Sequence, residues 1–153
     1  MKTHVLDSWA ILEWISGRQP ATNTIDNLFA ESQAGTARLY MSAINVGEVY
    51  YFLRKQHSEK LAEFWRYSSQ TLPATIEVPT AEEIWDAAVL KSLYPIAYAD
   101  AFAAALAQKH ACSLVTGDPE LRSVLGLQLE WIGSYPRLIK FGERVPHSSL
   151  VLA

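Results

Sequence analysis

The chain has 153 residues, 50% of them hydrophobic, with 13 Lys+Arg against 16 Asp+Glu and a formal net charge of -3. That is enough apolar side chain for one compact domain and too much for a disordered chain, and the slight acidity excludes a uniformly basic nucleic-acid binder. Cys112 is the single cysteine, which excludes an intrachain disulfide and a multi-cysteine zinc site; with no apolar run long enough to span a membrane and no apolar stretch behind Met1, a reducing cytoplasmic setting is expected.

His4-Val5-Leu6 is a β-prone run ending in Asp7-Ser8, after which Trp9, Leu12 and Ile15 recur at helical spacing as far as Gly17. Pro20 opens a second expected helix through Ile25, Leu28 and Phe29, closed near Gly35, and Arg38 to Ser42 reads as a strand. Ser42 suits the N-cap of a helix from Ala43 to about Gln56, with Ile44, Tyr51 and Phe52 on one face. Ser58 to about Gln70 is a further amphipathic helix carrying Leu61, Phe64 and Trp65.

Thr75 to Pro79 is a short strand, and Thr80 with Glu83 forms a capping box that opens a helix through Trp85, Ala88 and Val89. An alanine-rich helix follows from about Ala97 to His110, then a strand over Ser113 to Gly117 running into Asp118-Pro119, and a last strand over Gln128 to Ile132. Strands alternating with helices imply right-handed βαβ crossovers and a parallel sheet covered on both faces. One domain is expected over residues 1–133. The tail 134–153, with Arg137, Lys140 and Arg144 against Glu143, is set apart as an edge strand, an oligomer arm or a flexible end.

In an open parallel sheet, ligands bind beyond the carboxyl ends of the strands. Asp7 and Asp118 each follow a predicted strand there. Glu48 shares a helix face with Ile44, Tyr51 and Phe52, which places a carboxylate against the core unless its charge is offset, and Asp100 shares a face with Ala103, Ala104 and Ala107. Each acid also has a structural account: Asp7 and Asp118 as N-caps, Asp100 as a first-turn acid, Glu48 as a buried partner of Arg38 or Arg54. Capping does not explain four acids on one side of a small domain, and oxygen-only ligands select hard ions such as Mg²⁺ or Mn²⁺.

Val5-Leu6-Asp7-Ser8, Ser42 to Tyr50 around Glu48, Tyr98 to Ala107 around Asp100, and Leu114-Val115-Thr116-Gly117-Asp118-Pro119-Glu120 resemble the successive acidic motifs of PIN-domain ribonucleases, above all the VapC-type toxins of toxin-antitoxin pairs. The resemblance covers about residues 4 to 132. It implies a three-layer α/β/α fold around a central, mostly parallel twisted sheet of four or five strands. It also implies a metal-dependent endoribonuclease, with Asp7, Glu48, Asp100 and Asp118 as catalytic metal ligands for one or two Mg²⁺ or Mn²⁺ ions. Ser8 and Thr116 match supporting hydroxyl positions. A cognate antitoxin and a homodimer are the partners implied. Glu120 is a possible fifth acid, and reads first as a solvated helix-start acid.

Other chemistries lack their residues. A haloacid-dehalogenase-like site needs a second Asp where Trp9 stands, the four histidines form no HExxH pair, and there is no phosphate-binding glycine loop or G-x-S-x-G elbow. The rival is a PIN-like module that binds RNA or protein without turnover. RNA contact is expected from local basic surface, either Arg54, Lys55, Lys60 and Arg66 or Arg137, Lys140 and Arg144 of the tail. Trp14, Tyr50, Tyr51, Phe52, Phe64 and Trp65 are more aromatic surface than a small core needs, and core packing, a dimer interface or an antitoxin groove are the uses open to them.

Overall fold

A computed structural model describes residues 1–133. The tail 134–153, with the expected RNA contacts Arg137, Lys140 and Arg144, lies outside the described residues. The chain runs β1 (Lys2–Leu6), α1 (Ser8–Ile15), α2 (Ala21–Gln33), β2 (Ala37–Ser42), α3 (Ala43–Gln56), α4 (Glu59–Ser68), β3 (Thr75–Glu77), α5 (Ala81–Leu93), α6 (Tyr98–Lys109), β4 (Ser113–Thr116) and β5 (Leu129–Trp131), with 3₁₀ turns at Ser69–Thr71 and Pro119–Ser123. Asp118-Pro119 therefore opens a five-residue 3₁₀ turn rather than an α-helix.

The five strands form one sheet in the order β3-β2-β1-β4-β5, every neighbouring pair parallel. Alternation along the strands builds two cores. Leu6, Leu39, Met41 and Val115 face α1 to α4, while Val5 and Leu114 face α5 and α6. Residues of the predicted elements thus fill a three-layer α/β/α arrangement. Among the described residues no helix is long and apolar enough to cross a membrane.

Several local signals set the helix starts. Ser42 Oγ accepts from the Ile44 N–H, Ser58 Oγ from the Leu61 N–H and Thr80 Oγ1 from the Glu83 N–H. Chain order also fixes where a crevice opens. From β1 the chain proceeds outward through β2 and β3, then returns to the other side of β1 as β4. The carboxyl ends of β1 and β4 are therefore the point where the winding reverses, and connections leave them in opposite directions. Asp7 and Asp118 follow those two ends.

Candidate metal centre

Asp7 is fully buried at the start of α1, where its Oδ1 accepts from the Ala10 N–H at 2.8 Å. Its Oδ2 is buried and has no well-formed hydrogen bond. Asp118 is arranged likewise: one oxygen accepts from the Glu120 N–H at 3.0 Å, and its own N–H donates to Thr116 Oγ1 at 3.0 Å. Each aspartate thus caps a turn with one oxygen and leaves the other for a ligand. Capping and ligand binding are compatible because a carboxylate has two oxygens.

Glu48 lies half-buried on α3 and accepts a hydrogen bond from the Ser8 hydroxyl. The face it shares with Ile44 and Tyr51 is not the core face: these two are 39% and 57% exposed, and Asn45, Val49 and Leu53 are buried instead. The expectation that Glu48 presses against the core is corrected accordingly. A carboxylate there lines an open cleft, and the Ser8 hydroxyl meets it where Arg38 or Arg54 had been the structural alternatives. Asp100 is buried in the first turn of α6, and the alanines around it, Ala101, Ala103, Ala104, Ala105 and Ala107, are buried too. Small side chains let this helix lie close to the sheet.

Ser8, Trp9, Leu12, Glu48, Tyr51, Phe52, Ala97, Asp100, Asp118 and Glu120 line one cleft of about 230 Å³. Carboxylate oxygens of Asp100, Asp118 and Glu120 lie within 4.8 Å of one another. Glu120, which reads from the sequence as a solvated acid, is exposed yet belongs to this cluster. Its spacing of two from Asp118 in a 3₁₀ turn carries no periodic signal. Among the described residues none of the five acids forms an ion pair with Lys, Arg or His.

Uncompensated carboxylates in a desolvated cleft hold their protons tightly. Burial, followed by the charges of Asp118 and Glu48, raises the Asp7 pKa to about 7, against hydrogen bonding from Thr116 and Ala10 that lowers it. Burial first, then Asp118, Asp7 and Glu48, raises Asp100 to about 8. Glu48 is raised by burial and by Asp118, with Ser8 and Asn45 countering. An oxygen-only donor set, with a buried Asp7 Oδ2 that has no well-formed hydrogen bond and no paired cation among the described residues, fits a hard divalent ion. Arg54 and Lys55 are both exposed on the last turn of α3, where Arg54 pairs with Glu59 at 3.8 Å. Lys60 and Arg66 are exposed as well, and Arg66 pairs with Glu63 at 3.8 Å.

Two residues position this cluster without announcing themselves in the sequence. Asn45 is fully buried, and its Nδ2 donates to the Ala99 carbonyl at 3.1 Å, tying α3 to the turn that carries Asp100. The available signal is its phase, four residues before Val49 and eight before Leu53. Gly117 is the other: a Cβ there would overlap the six-membered ring of the Trp9 indole, and a Cβ on Gly133 would come within 2.9 Å of the Gly117 Cα. Gly117→Ala should therefore destabilise the fold by about 1–3 kcal/mol, read by urea unfolding, and change Trp fluorescence as Trp9 is displaced. An unchanged midpoint and spectrum would show that the close approach is not needed.

The PIN domain family model matches residues 4–126. The chain belongs to the PIN domain family. As a PIN domain it shares its fold with several solved structures. One is a chain of VapBC2 from Rickettsia felis bound to a DNA fragment from its promoter, at 18% identity and TM-score 0.66, covering 84% of this chain and 97% of that one. Another is VapC20 of Mycobacterium tuberculosis, described as a Sarcin-Ricin loop cleaving toxin, at 15% identity and TM-score 0.61, covering 78% and 92%. A third is a toxin-antitoxin complex from Klebsiella pneumoniae, at 21% identity and TM-score 0.60, covering 81% and 94%. A comparison with curated protein sequences gave no match.

Proposed function

We propose that this PIN domain is a Mg²⁺- or Mn²⁺-dependent endoribonuclease, the toxin of a type II toxin-antitoxin pair. The observation that carries the reading is the cleft at the switch point of the sheet that Glu48, Asp100, Asp118 and Glu120 line, with Asp7 fully buried outside that lining but feeling the charges of Asp118 and Glu48, and with no cation paired to any of these acids among the described residues. In this reading Asp7 Oδ2, Asp100, Asp118 and Glu48 hold the metal, with Glu120 as a fifth candidate. One or two ions held there would neutralise charge on the scissile phosphate and supply water activated near neutral pH. Ser8 orients Glu48 through its hydroxyl, and Thr116 holds the turn that presents Asp118. Arg54 and Lys55 lie exposed on the helix that carries Glu48 and Tyr51, where they can attract the RNA backbone.

The assay that tests this is cleavage of single-stranded RNA by the purified chain across a Mg²⁺ and Mn²⁺ titration. Metal-dependent shortening supports the nuclease, whereas retention of intact RNA at every metal concentration would leave the binding module. Sequencing cellular RNA ends after a short pulse of expression then gives the target.

The partners follow the same reading. Trp14, Ile15, Leu53, Leu61, Phe64 and Trp65 are among the residues around an apolar groove of about 520 Å³ between α1, α2, α3 and α4. Phe64 is exposed while Trp65 is core. This groove is the proposed antitoxin seat, supported by the neighbours that are toxin-antitoxin complexes. The proposed dimer face is α5, which exposes Trp85, Val89 and Leu93 at spacings of four. Its first turns carry Glu82 and Asp86 and its last turn Lys91, so two antiparallel copies would pair unlike charges about a two-fold axis. Val89→Glu should convert a dimer to a monomer by light scattering. A variant that keeps the dimer mass excludes this face.

A further inference from the structure

The lining of the acidic cleft is of two kinds. Glu48, Asp100, Asp118 and Glu120 supply carboxylates, while Trp9, Leu12, Tyr51 and Phe52 supply apolar and aromatic surface. Trp9 and Phe52 are half-buried and pack against the core on the α1 to α4 side. Tyr51 joins neither core and is 57% exposed. It lies three residues beyond Glu48, on the same face of α3. Burial, then the charges of Glu48 and Asp100, push its phenol above the usual value, so the ring is within electrostatic reach of both acids.

An exposed aromatic ring beside carboxylates has few useful partners of its own. The acids repel phosphate unless ions are bound, whereas a ring face binds a neutral base whatever the sequence, because every base has a π-face. The space of about 230 Å³ is below the roughly 300–1,000 Å³ of drug-sized ligand pockets. It suits one splayed nucleotide, and unpaired bases are the ones that can stack on protein rings. We propose that Tyr51 is the stacking platform for the unpaired base next to the RNA phosphate held at the acidic cluster. This rests on the ribonuclease reading and adds to it the group that positions the substrate.

The test uses Tyr51→Ala, Tyr51→Phe and Tyr51→Trp in the full chain, with a labelled single-stranded RNA pool and the same RNAs carrying abasic nucleotides at successive positions. Steady-state cleavage reads kcat and KM. Fluorescence anisotropy in an Asp100→Asn background reads binding without turnover. Tyr51→Ala should weaken binding roughly 5- to 100-fold, mainly through KM, while Phe and Trp, which keep a ring, retain it. The unaltered ring should lose the same factor on the abasic RNA, and the two losses should not add. Circular dichroism should be unchanged, since the side chain is exposed. Binding by Tyr51→Ala equal to that of the unaltered chain, or continued discrimination against abasic RNA, would overturn the platform. Absence of cleavage by the unaltered chain would instead overturn the nuclease reading, and the anisotropy arm still decides whether Tyr51 stacks.

Discussion

Asp7→Asn and Asp100→Asn proteins should each cleave RNA roughly 100-fold or more slowly than the unaltered chain, and should melt no lower than it in the absence of metal. The loss of activity follows from removing an anionic oxygen whose ion stabilises charge in the transition state, an effect on the order of several kcal/mol. Retained stability follows from what each side chain does for the fold. Asn keeps an Oδ1 able to accept from the Ala10 N–H, so the cap on α1 survives. At Asp100 the bond to the Ala97 backbone can be kept by an amide oxygen. Both substitutions remove a buried charge that faces other acids and no described cation, which is a cost to the metal-free fold. Single-turnover cleavage and urea unfolding measure the two halves separately. Full activity in either folded variant would remove that residue from the metal centre, and a large loss of stability would mean that its role is structural.

Metal-free protein should become less stable as pH rises from about 4 to about 8, and Mg²⁺ or Mn²⁺ should restore stability most at the alkaline end. The sign follows from the direction of the shifts. Asp7 rises from 3.8 to about 7, Asp100 from 3.8 to about 8, and Glu48 rises from 4.5. Between pH 4 and pH 8 the folded chain therefore binds more protons than the unfolded one, so stability falls as pH increases through that window. Below pH 4 both states are protonated and the penalty vanishes. The total is on the order of a few kcal/mol, less than the separate shifts would sum to, because the acids titrate as a coupled set. Metal ligands must be deprotonated, so the melting-temperature gap between metal-loaded and chelator-treated protein should widen from pH 5 to pH 8. A gap that stays flat across this range would contradict a carboxylate metal centre. The Asp7→Asn, Asp100→Asn double variant should flatten both profiles.

Much of this architecture is legible as local spacing. The caps at Ser42, Ser58 and Thr80 and the hydrophobic periods give the elements, and the strand-then-acid order at Asp7 and Asp118 places two carboxylates at the sheet ends. The misassigned face of α3 has a definite cause. Ile44 and Tyr51 are apolar but exposed, while Asn45 is polar but buried, so the hydrophobic pattern points about a third of a turn away from the real core face of Asn45, Val49 and Leu53. Asn45 goes unread, and Glu120 reads first as a solvated acid, for different reasons. An amide that bonds to a carbonyl on another helix has no local signature, and a carboxylate in a 3₁₀ turn is brought to its neighbours by backbone geometry, not by period. Each cap uses one carboxylate oxygen of Asp7 or Asp118, so capping does not exclude the proposed ligand role for the other.

The strand order has a consequence in time as well as in space. β1 is made well before its partner β4, which lies more than a hundred residues later, and His4 Nδ1 meets Ser113 Oγ at 2.6 Å across a separation of 109. Asp7 and Glu48 are synthesised early, Asp100 later, and Asp118 and Glu120 only after β4. The cleft therefore cannot close on a ribosome-bound fragment that ends before Ser113. A fragment ending there lacks Asp118 and Glu120, so the order of the strands makes the last wall of the cleft also the last to be synthesised.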